Sequence, residues 1–243
     1  MPAAKKGDPV HFPSYPHEVL SVVLSVRDGR LCVLLWKRAL NPYRGRWALP
    51  GGGVEPTQRL REAITRHLAT KVDVRDVAHL EQLATHSAID RDPRARVLAT
   101  AYLGLVPSDV QPVLPSDTVW HPVDDLPQTA FDHHYFIDAA VGRLRAKLSY
   151  TNIGFALAPL EFTIAELRDL FGAALGYELG ATNLTRVLTR RRVINPTERR
   201  ASPGQSGGRP ATVYTFVARE LTVTDPFAVL RPPADRPGKP HAS

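Results

Sequence analysis

The stretch from Leu49 to Val74 reads LPGGGVEPTQRLREAITRHLATKVDV, a Pro-Gly-Gly-Gly loop running into an amphipathic helix. Leu60, Ile64 and Leu68 recur every fourth residue with Ala63 beside them, so the segment from about Thr57 to Thr70 turns one apolar face toward a sheet. His67, Thr70 and Lys71, spaced i, i+3, i+4, share another face. Upstream, EVLSVVLSV and LCVLLWKR are apolar runs joined through RDGR, and Asp28-Gly29 is a strong hairpin signal. Downstream, VAHLEQLATHSAI and RVLATAYLGLVP supply further strands, and the pattern fades in the proline-rich VLPSDTVWHPVDDLP. A helix from about His133 to Tyr150 then carries Ile137, Val141, Leu144 and Leu148 on one stripe.

Aligned from Gly52 without a gap, the opening stretch resembles the Nudix box, G-x5-E-x7-R-E-U-x-E-E-x-G-U with U apolar. Gly52, Arg66, Leu68 and Val74 match. The resemblance implies a Nudix-like sandwich, in which the four box glutamates carry Mg²⁺ and the catalytic base. Here those positions read Gln58, His67, Thr70 and Lys71, and the final glycine is Asp73. Mg²⁺ is a hard cation that binds weakly without at least one or two carboxylates. Gln58 and Thr70 are neutral, and Lys71 repels. Glu62 lies five residues before His67, roughly 140° round the helix, and reads as a solvated helix residue. Glu55, in the preceding loop, can still reach a cation, but one carboxylate does not replace four. The sequence therefore predicts no catalytic residues, no metal and no cofactor.

A chain of 243 residues is long for one domain and comfortable for two, each able to bury its own core. A net charge of +7 points to an anionic partner, with nucleic acid or phosphate ligands ahead of an acidic protein. The one cysteine, Cys32, sits in an apolar run and reads as a buried strand residue in a reducing compartment. Lys5 and Lys6 precede GDPVHFPSYPHE rather than an apolar core, and VLSVVLSV is too short to span a bilayer. The expected location is the cytoplasm, with no membrane contact.

From about Ile153 the pattern changes to short helices. Phe162 to Glu166, FTIAE, is a capping-box signal that opens a helix to about Leu175, with Gly176 as its stop. After GYELGAT comes the helix NLTRVLTRRRVI, and two helices joined by a tight glycine-containing turn are the helix-turn-helix signature. The following NPTERRASPGQSGGRP reads as a polar loop and ATVYTFV as a strand, as in a winged helix. Arg186, Arg190, Arg191, Arg192, Arg199 and Arg200 face one acid, Glu198. Such a run is either a solvated face or a DNA surface, and its place on a second helix and wing favours DNA. Thr182, Asn183 and Arg186 at the start of that helix are expected to meet base edges, with Thr163 at the first helix. Arg190, Arg191, Arg199, Arg200 and Arg209 are expected to hold phosphates.

The order of a broken box, a helix ending near LRAKLSY, then FTIAEL, LG, TNLTR and GRPATVYTF is similar to the NrtR family, Nudix-related transcriptional regulators of NAD metabolism, over roughly residues 17 to 220. The resemblance implies an α+β chain: a Nudix-like α/β/α sandwich that senses ADP-ribose, then a winged helix that binds operator DNA as a homodimer, its targets being NAD biosynthesis or salvage genes. The chain departs from the family's NFRR-like patch, reading Asn183-Leu184-Thr185-Arg186, so its operator preference is open. The expected division is an N-terminal arm at 1–16, the sensing domain at 17–150, the winged helix at 151–224 and a mobile tail at 225–243.

Asp90-Arg91-Asp92-Pro93-Arg94 resembles the RDPR tract of ADP-ribose-handling Nudix proteins. Arg91 or Arg94 would hold a diphosphate bidentately. Asp92 belongs to the same tract, and Arg38 and Arg46, with Lys37 and Arg44, add positive charge near the same loop. Trp47 or Tyr102 would stack adenine, or else pack in the core. His133 and His134 are adjacent on a helix and point apart, which argues against a shared metal. Two other functions are compatible with these residues: an active ADP-ribose pyrophosphatase using Glu55 and a rearranged metal site, and a constitutive DNA-binding protein whose Nudix fold serves as a dimerisation scaffold.

Overall fold

The computed structural model describes residues 13–201 and 210–225. The arm from 1 to 12, Arg209 and the tail from 226 lie outside the described residues.

β1 (His17–Arg27) and β2 (Arg30–Lys37) form the expected antiparallel hairpin, with Arg27 opposite Arg30. Asp28 and Gly29 have φ of 48° and 73°, the pair of left-handed conformations that a two-residue turn needs to match strand twist. β1 is buried on both sides, and its residues alternate. Leu20, Val22, Leu24 and Val26 face one apolar cluster, and Val19 and Val23 face the other side. β3 (Trp47–Ala48) pairs with β2 and β4 (Gly51–Gly53) with β1. α1 (Leu60–Lys71) covers the Val19 side through Ala63, Ile64 and Leu68.

β5 (His79–His86) and β6 (Leu98–Leu105) complete the centre of the sheet, with β6 parallel to β1, and β7 (Thr118–Pro122) adds to β2. α2 (His133–Tyr150) covers the other face with Phe136, Ile137, Ala140 and Leu144. The result is a seven-stranded sheet between helices.

Three expectations for this half are corrected. Gly51 to Gly53 is a strand rather than a loop, paired with Glu18 to Leu20 of β1, and at Gly51 and Gly52 only a residue without Cβ fits so close to its neighbours. A Cβ on Gly51 would lie 2.1 Å from the Val19 carbonyl oxygen. β7 lies inside the proline-rich segment, too short to show an alternation. α1 begins at Leu60 rather than near Thr57, and Glu62, exposed on the helix as expected, also caps it by accepting from the Arg59 N–H at 3.0 Å.

Past a 3₁₀ turn at Ile153–Ala156 the chain forms β8 (Phe162–Thr163), α3 (Ile164–Leu175), α4 (Ala181–Arg190), β9 (Ile194–Arg200) and β10 (Thr212–Phe216). The three strands pair in the order β8-β10-β9. The capping box at Thr163 and Glu166 is present, and Gly176 ends α3 in the left-handed region. α4 stops at Arg190 rather than Ile194, because Arg192 turns with φ of 54° and the buried Val193 and Ile194 lead into β9. β9 occupies what reads as loop. It is exposed on both faces apart from Ile194 and Thr197, so no apolar alternation marks it.

The two halves do not bury separate cores. Leu157, Phe162, Leu167 and Leu170 belong to the same apolar cluster as Leu24, Leu31 and Leu144. Asn152, 3% exposed, locks the junction: its amide donates to the Ala218 and Glu220 carbonyls at 3.1 and 2.8 Å and accepts from the Thr222 N–H at 2.7 Å. No helix of the described residues is long and apolar enough to cross a membrane.

The glycine strand gives a paired test. Gly51→Ala forces a Cβ into the β1 backbone and should destabilise by about 1–3 kcal/mol or more, whereas Gly53→Ala, with open space at its Cβ, should stay within about 0.5 kcal/mol of wild type. Urea unfolding of both variants checks the contrast.

Candidate ligand pocket and DNA-binding surface

A cavity of about 430 Å³ opens between the start of β1, the glycine strand, the end of α1 and the loop before α2. Its walls include Glu18, Trp36, Arg38, Lys71, Arg94 and Phe131. Three of these are cations and one is an acid, a balance suited to an anion. Arg38 lies 4.7 Å over the Phe131 ring and Arg94 lies 5.7 Å from it, so an aromatic face and two guanidinium groups converge. Phe131 sits at φ 52° with Tyr43 packed edge-on at 4.9 Å. His133, fully buried beneath, accepts the Leu49 N–H at 2.9 Å through Nδ1. Burial pushes its pKa down to about 3; Asp132 opposes that shift, and Arg91 and Arg38 add to it.

The broken box lies against this cavity. His67, which burial holds below the ordinary imidazole range, donates from Nε2 to the Gly53 carbonyl at 3.0 Å. Lys71 donates to the Gly51 carbonyl at 2.5 Å and lies 5.1 Å over the Trp36 ring. A Cβ on Gly52 would meet His67 Cε1 at 2.7 Å and Lys71 Nζ at 3.2 Å. Thr70 is exposed, and its hydroxyl donates to the Arg66 carbonyl of its own helix rather than to the glycine strand. Gln58 accepts from Arg66 at 3.0 Å, and Glu55 pairs with the same arginine at 3.2 Å. This donor set does not fit a divalent cation. An ammonium and an imidazole N–H already hold the strand's carbonyl oxygens, and among the described residues no three His, Cys, Asp or Glu side chains gather.

A larger cavity, about 770 Å³, lies between the β1–β2 turn and α3. Its cations are committed elsewhere, Arg27 to the Ser108 and Val110 carbonyls and Arg30 to Asp124, while Glu166 and Asp169 line it. It does not suit a phosphate ligand.

On the opposite half, Leu184 and Leu188 anchor α4, leaving Thr182, Asn183, Arg186, Thr189 and Arg190 exposed along one side. Arg186 donates to the Asn183 side-chain oxygen at 2.9 Å, which aligns the two side chains. Arg199 pairs with Glu161, and Arg200 donates to the Thr212 hydroxyl at 2.5 Å.

The NUDIX domain family matches residues 15–140, and the NrtR DNA-binding winged helix domain matches residues 154–216. The ADPR responsive transcriptional repressor NtrR of Acinetobacter baylyi is 31% identical over 222 residues, 87% of each chain. The chain belongs to the NrtR family. The crystal structure of Shewanella oneidensis NrtR complexed with a 27mer DNA superposes on it with a TM-score of 0.72 at 30% identity, over 82% of this chain and 92% of that one. An ADP-ribose pyrophosphatase of Methanocaldococcus jannaschii is 31% identical over 137 residues, 55% of this chain and 79% of that one.

For this NrtR-family chain the structure distributes the sequence candidates unevenly. Arg38 and Arg94 line the pocket, and Asp92 holds Arg94 through a 2.6 Å ion pair. Arg91 is corrected: its side chain is 1% exposed and grips Asp132 and Glu18 at 2.8 and 2.7 Å, so it shapes the pocket rather than facing it. Arg46 lies outside, over Tyr43. Trp47 packs on His121 at 4.4 Å, and Tyr102 is buried with Val19 and Ile64, so neither reaches the cavity. The aromatic walls are Trp36 and Phe131, and the pocket acid is Glu18, all missed because single residues at strand ends and in loops carry no motif. On the DNA side, Thr163 is committed to Glu166, its hydroxyl accepting that residue's N–H. Arg191 is corrected too, since it holds the Ser149 carbonyl and Asp225 at 2.6 and 2.7 Å.

His133 makes stability depend on pH. The unfolded chain takes up this proton below about pH 6.5 and the folded chain only near pH 3, so the group removes stability as pH falls through that window, by about 1.4 kcal/mol per pH unit. His133→Gln should lose less stability than wild type between about pH 7 and about pH 5 in chemical denaturation. An equal loss would place the responsible proton elsewhere.

Proposed function

We propose that this NrtR-family chain is a transcriptional repressor that binds operator DNA as a homodimer, responds to ADP-ribose and does not hydrolyse it. The supporting observation is the placement of α2. Phe131 and His133 at its start line the cationic pocket, and Thr151 and Asn152 at its end lead into the winged helix through the Asn152 hydrogen bonds. The pocket lies in residues 17–150 and the DNA surface in 151–224, with the division at the end of α2. The regulated genes are those of NAD biosynthesis or salvage, and the protein works in the cytoplasm, where both DNA and nucleotide are found.

Ligand changes DNA affinity through the preference it has for one arrangement of α2, a coupling of about 1–3 kcal/mol in typical cases. Asn183 and Arg186 read base edges, while Arg190, Arg199, Arg200 and Arg209 hold phosphates and set register. A symmetric dimer requires half-sites about one helical turn apart or a multiple of it.

Arg186→Ala should abolish selective operator protection in a footprint while leaving the melting temperature unchanged. Selective protection equal to wild type would remove Arg186 from base reading. For the sensing half, calorimetry should show ADP-ribose binding without turnover in a phosphatase-coupled assay with Mg²⁺ or Mn²⁺. Turnover that disappears in Glu55→Gln would establish a hydrolase instead, the reading that the pyrophosphatase relative favours. No heat at millimolar ligand would leave the Nudix fold as a dimerisation scaffold.

A further inference from the structure

The box position held by Lys71 does more than lose an acid. Its ammonium has three donors, and among the described residues its hydrogen bond goes to one neutral partner, the Gly51 carbonyl at 2.5 Å. The Trp36 ring 5.1 Å away lies along one side. Lys71 lines the cavity beside Arg38 and Arg94, and the pocket's own carboxylate, Glu18, is bound to Arg91 at 2.7 Å. The charge on Lys71 therefore stands at the floor of the pocket without an anionic contact. Burial and the neighbouring arginines Arg38 and Arg66 pull its pKa down, with Glu18 opposing, which is the field that an arriving anion would relieve.

We propose that Lys71 is the pocket's tethered cation: it contacts the diphosphate of the bound nucleotide and supplies the charge that a divalent ion would otherwise bring, so that binding needs no metal. The inference rests on the reading of this pocket as the nucleotide site. Charge-assisted hydrogen bonds to phosphate oxygens are short and strong, and an ammonium that shares its donors between Gly51 and a phosphate keeps its place on the strand. His67, donating to Gly53, holds the carbonyl two residues on in the same way and keeps the glycine strand closed beneath it.

Titration calorimetry of the full chain tests this with ADP-ribose and with adenosine, in EDTA and in excess Mg²⁺. Wild type should bind ADP-ribose equally in both buffers. Lys71→Gln should weaken ADP-ribose by about tenfold, the loss expected for one charged hydrogen bond, and leave adenosine unchanged, while Lys71→Arg should retain ADP-ribose affinity. Wild-type binding that requires Mg²⁺, unchanged ADP-ribose affinity in Lys71→Gln, or an equal loss of adenosine would each overturn the inference while leaving the sensing function intact. If wild type binds ADP-ribose in neither buffer, the sensing function falls and this inference with it. Should Lys71→Gln unfold, judged by its melting curve, the wild-type metal comparison and Lys71→Arg decide.

Discussion

The buried guanidinium of Arg91 is the constraint on which the pocket depends. Its side chain is 1% exposed, and a charge so placed is tolerable only when every donor is satisfied. Nε and Nη2 both meet Asp132, at 3.0 and 2.8 Å, and Nη1 meets Glu18 at 2.7 Å. Burial opposes ionisation of Asp132, but hydrogen bonds from Arg91 and His86 outweigh it and hold its pKa below the ordinary range. Breaking a buried pair of this kind by removing one partner costs about 3–5 kcal/mol. Such a cost fixes three segments at once: the start of β1, the loop around Asp90 and the residue that precedes α2. Phe131 and His133 flank Asp132, so their placement in the cavity follows from the same interaction.

α2 carries that placement away from the pocket. Eighteen residues of helix span about 27 Å, from the cavity to the Asn152 junction. Along the way Glu81 of β5 accepts from Lys147 at 2.8 Å and pairs with Arg143 at 3.3 Å. Burial works against its ionisation, yet the hydrogen bonds from His79 and Lys147 bring its pKa down to about 2. Arg145, on the same helix, donates to the Ala174 carbonyl at the end of α3 at 3.2 Å. α2 is thus tied to the sheet on one side and to α3 on the other, and packed interfaces of this kind generally shift between discrete arrangements rather than deform smoothly.

What the sequence made legible follows from where its signals are local. The Asp28-Gly29 turn, the Thr163 capping box, the Gly176 stop and the stripe of α2 each depend on residues a few positions apart, and each stands in the structure as read. Of the arginines offered as ligand candidates, Arg38 and Arg94 line the pocket, while Arg46 and Arg91 do not. What escaped is long-range or two-sided. β7 and β9 exist because β2 and β10 provide edges for them, and neither needs an apolar alternation of its own. Whether an arginine faces ligand or core depends on which acids arrive beside it, and Asp132 reaches Arg91 across 41 positions of sequence. Periodicity placed His67 and Lys71 on one face, but not the glycine strand that they close upon.

That closure changes what the missing glutamates mean. Where the Nudix box has acids, this face carries donors, and the backbone carbonyl oxygens of the glycine strand are acceptors that need them. His67 and Lys71 answer that need directly, one N–H for Gly53 and one for Gly51, while Arg66 draws Glu55 and Gln58 together at the rim. The box is thus a repacked structural element with its own hydrogen-bond logic, and its frame persists because Gly52 must remain small enough to pass beneath two side chains. A single acid restored to this face would meet an ammonium and an arginine before it met a metal. Two of the four acid positions are thus already engaged in holding the strand, and an acid at either would have to replace a donor that the Gly51 or Gly53 carbonyl uses.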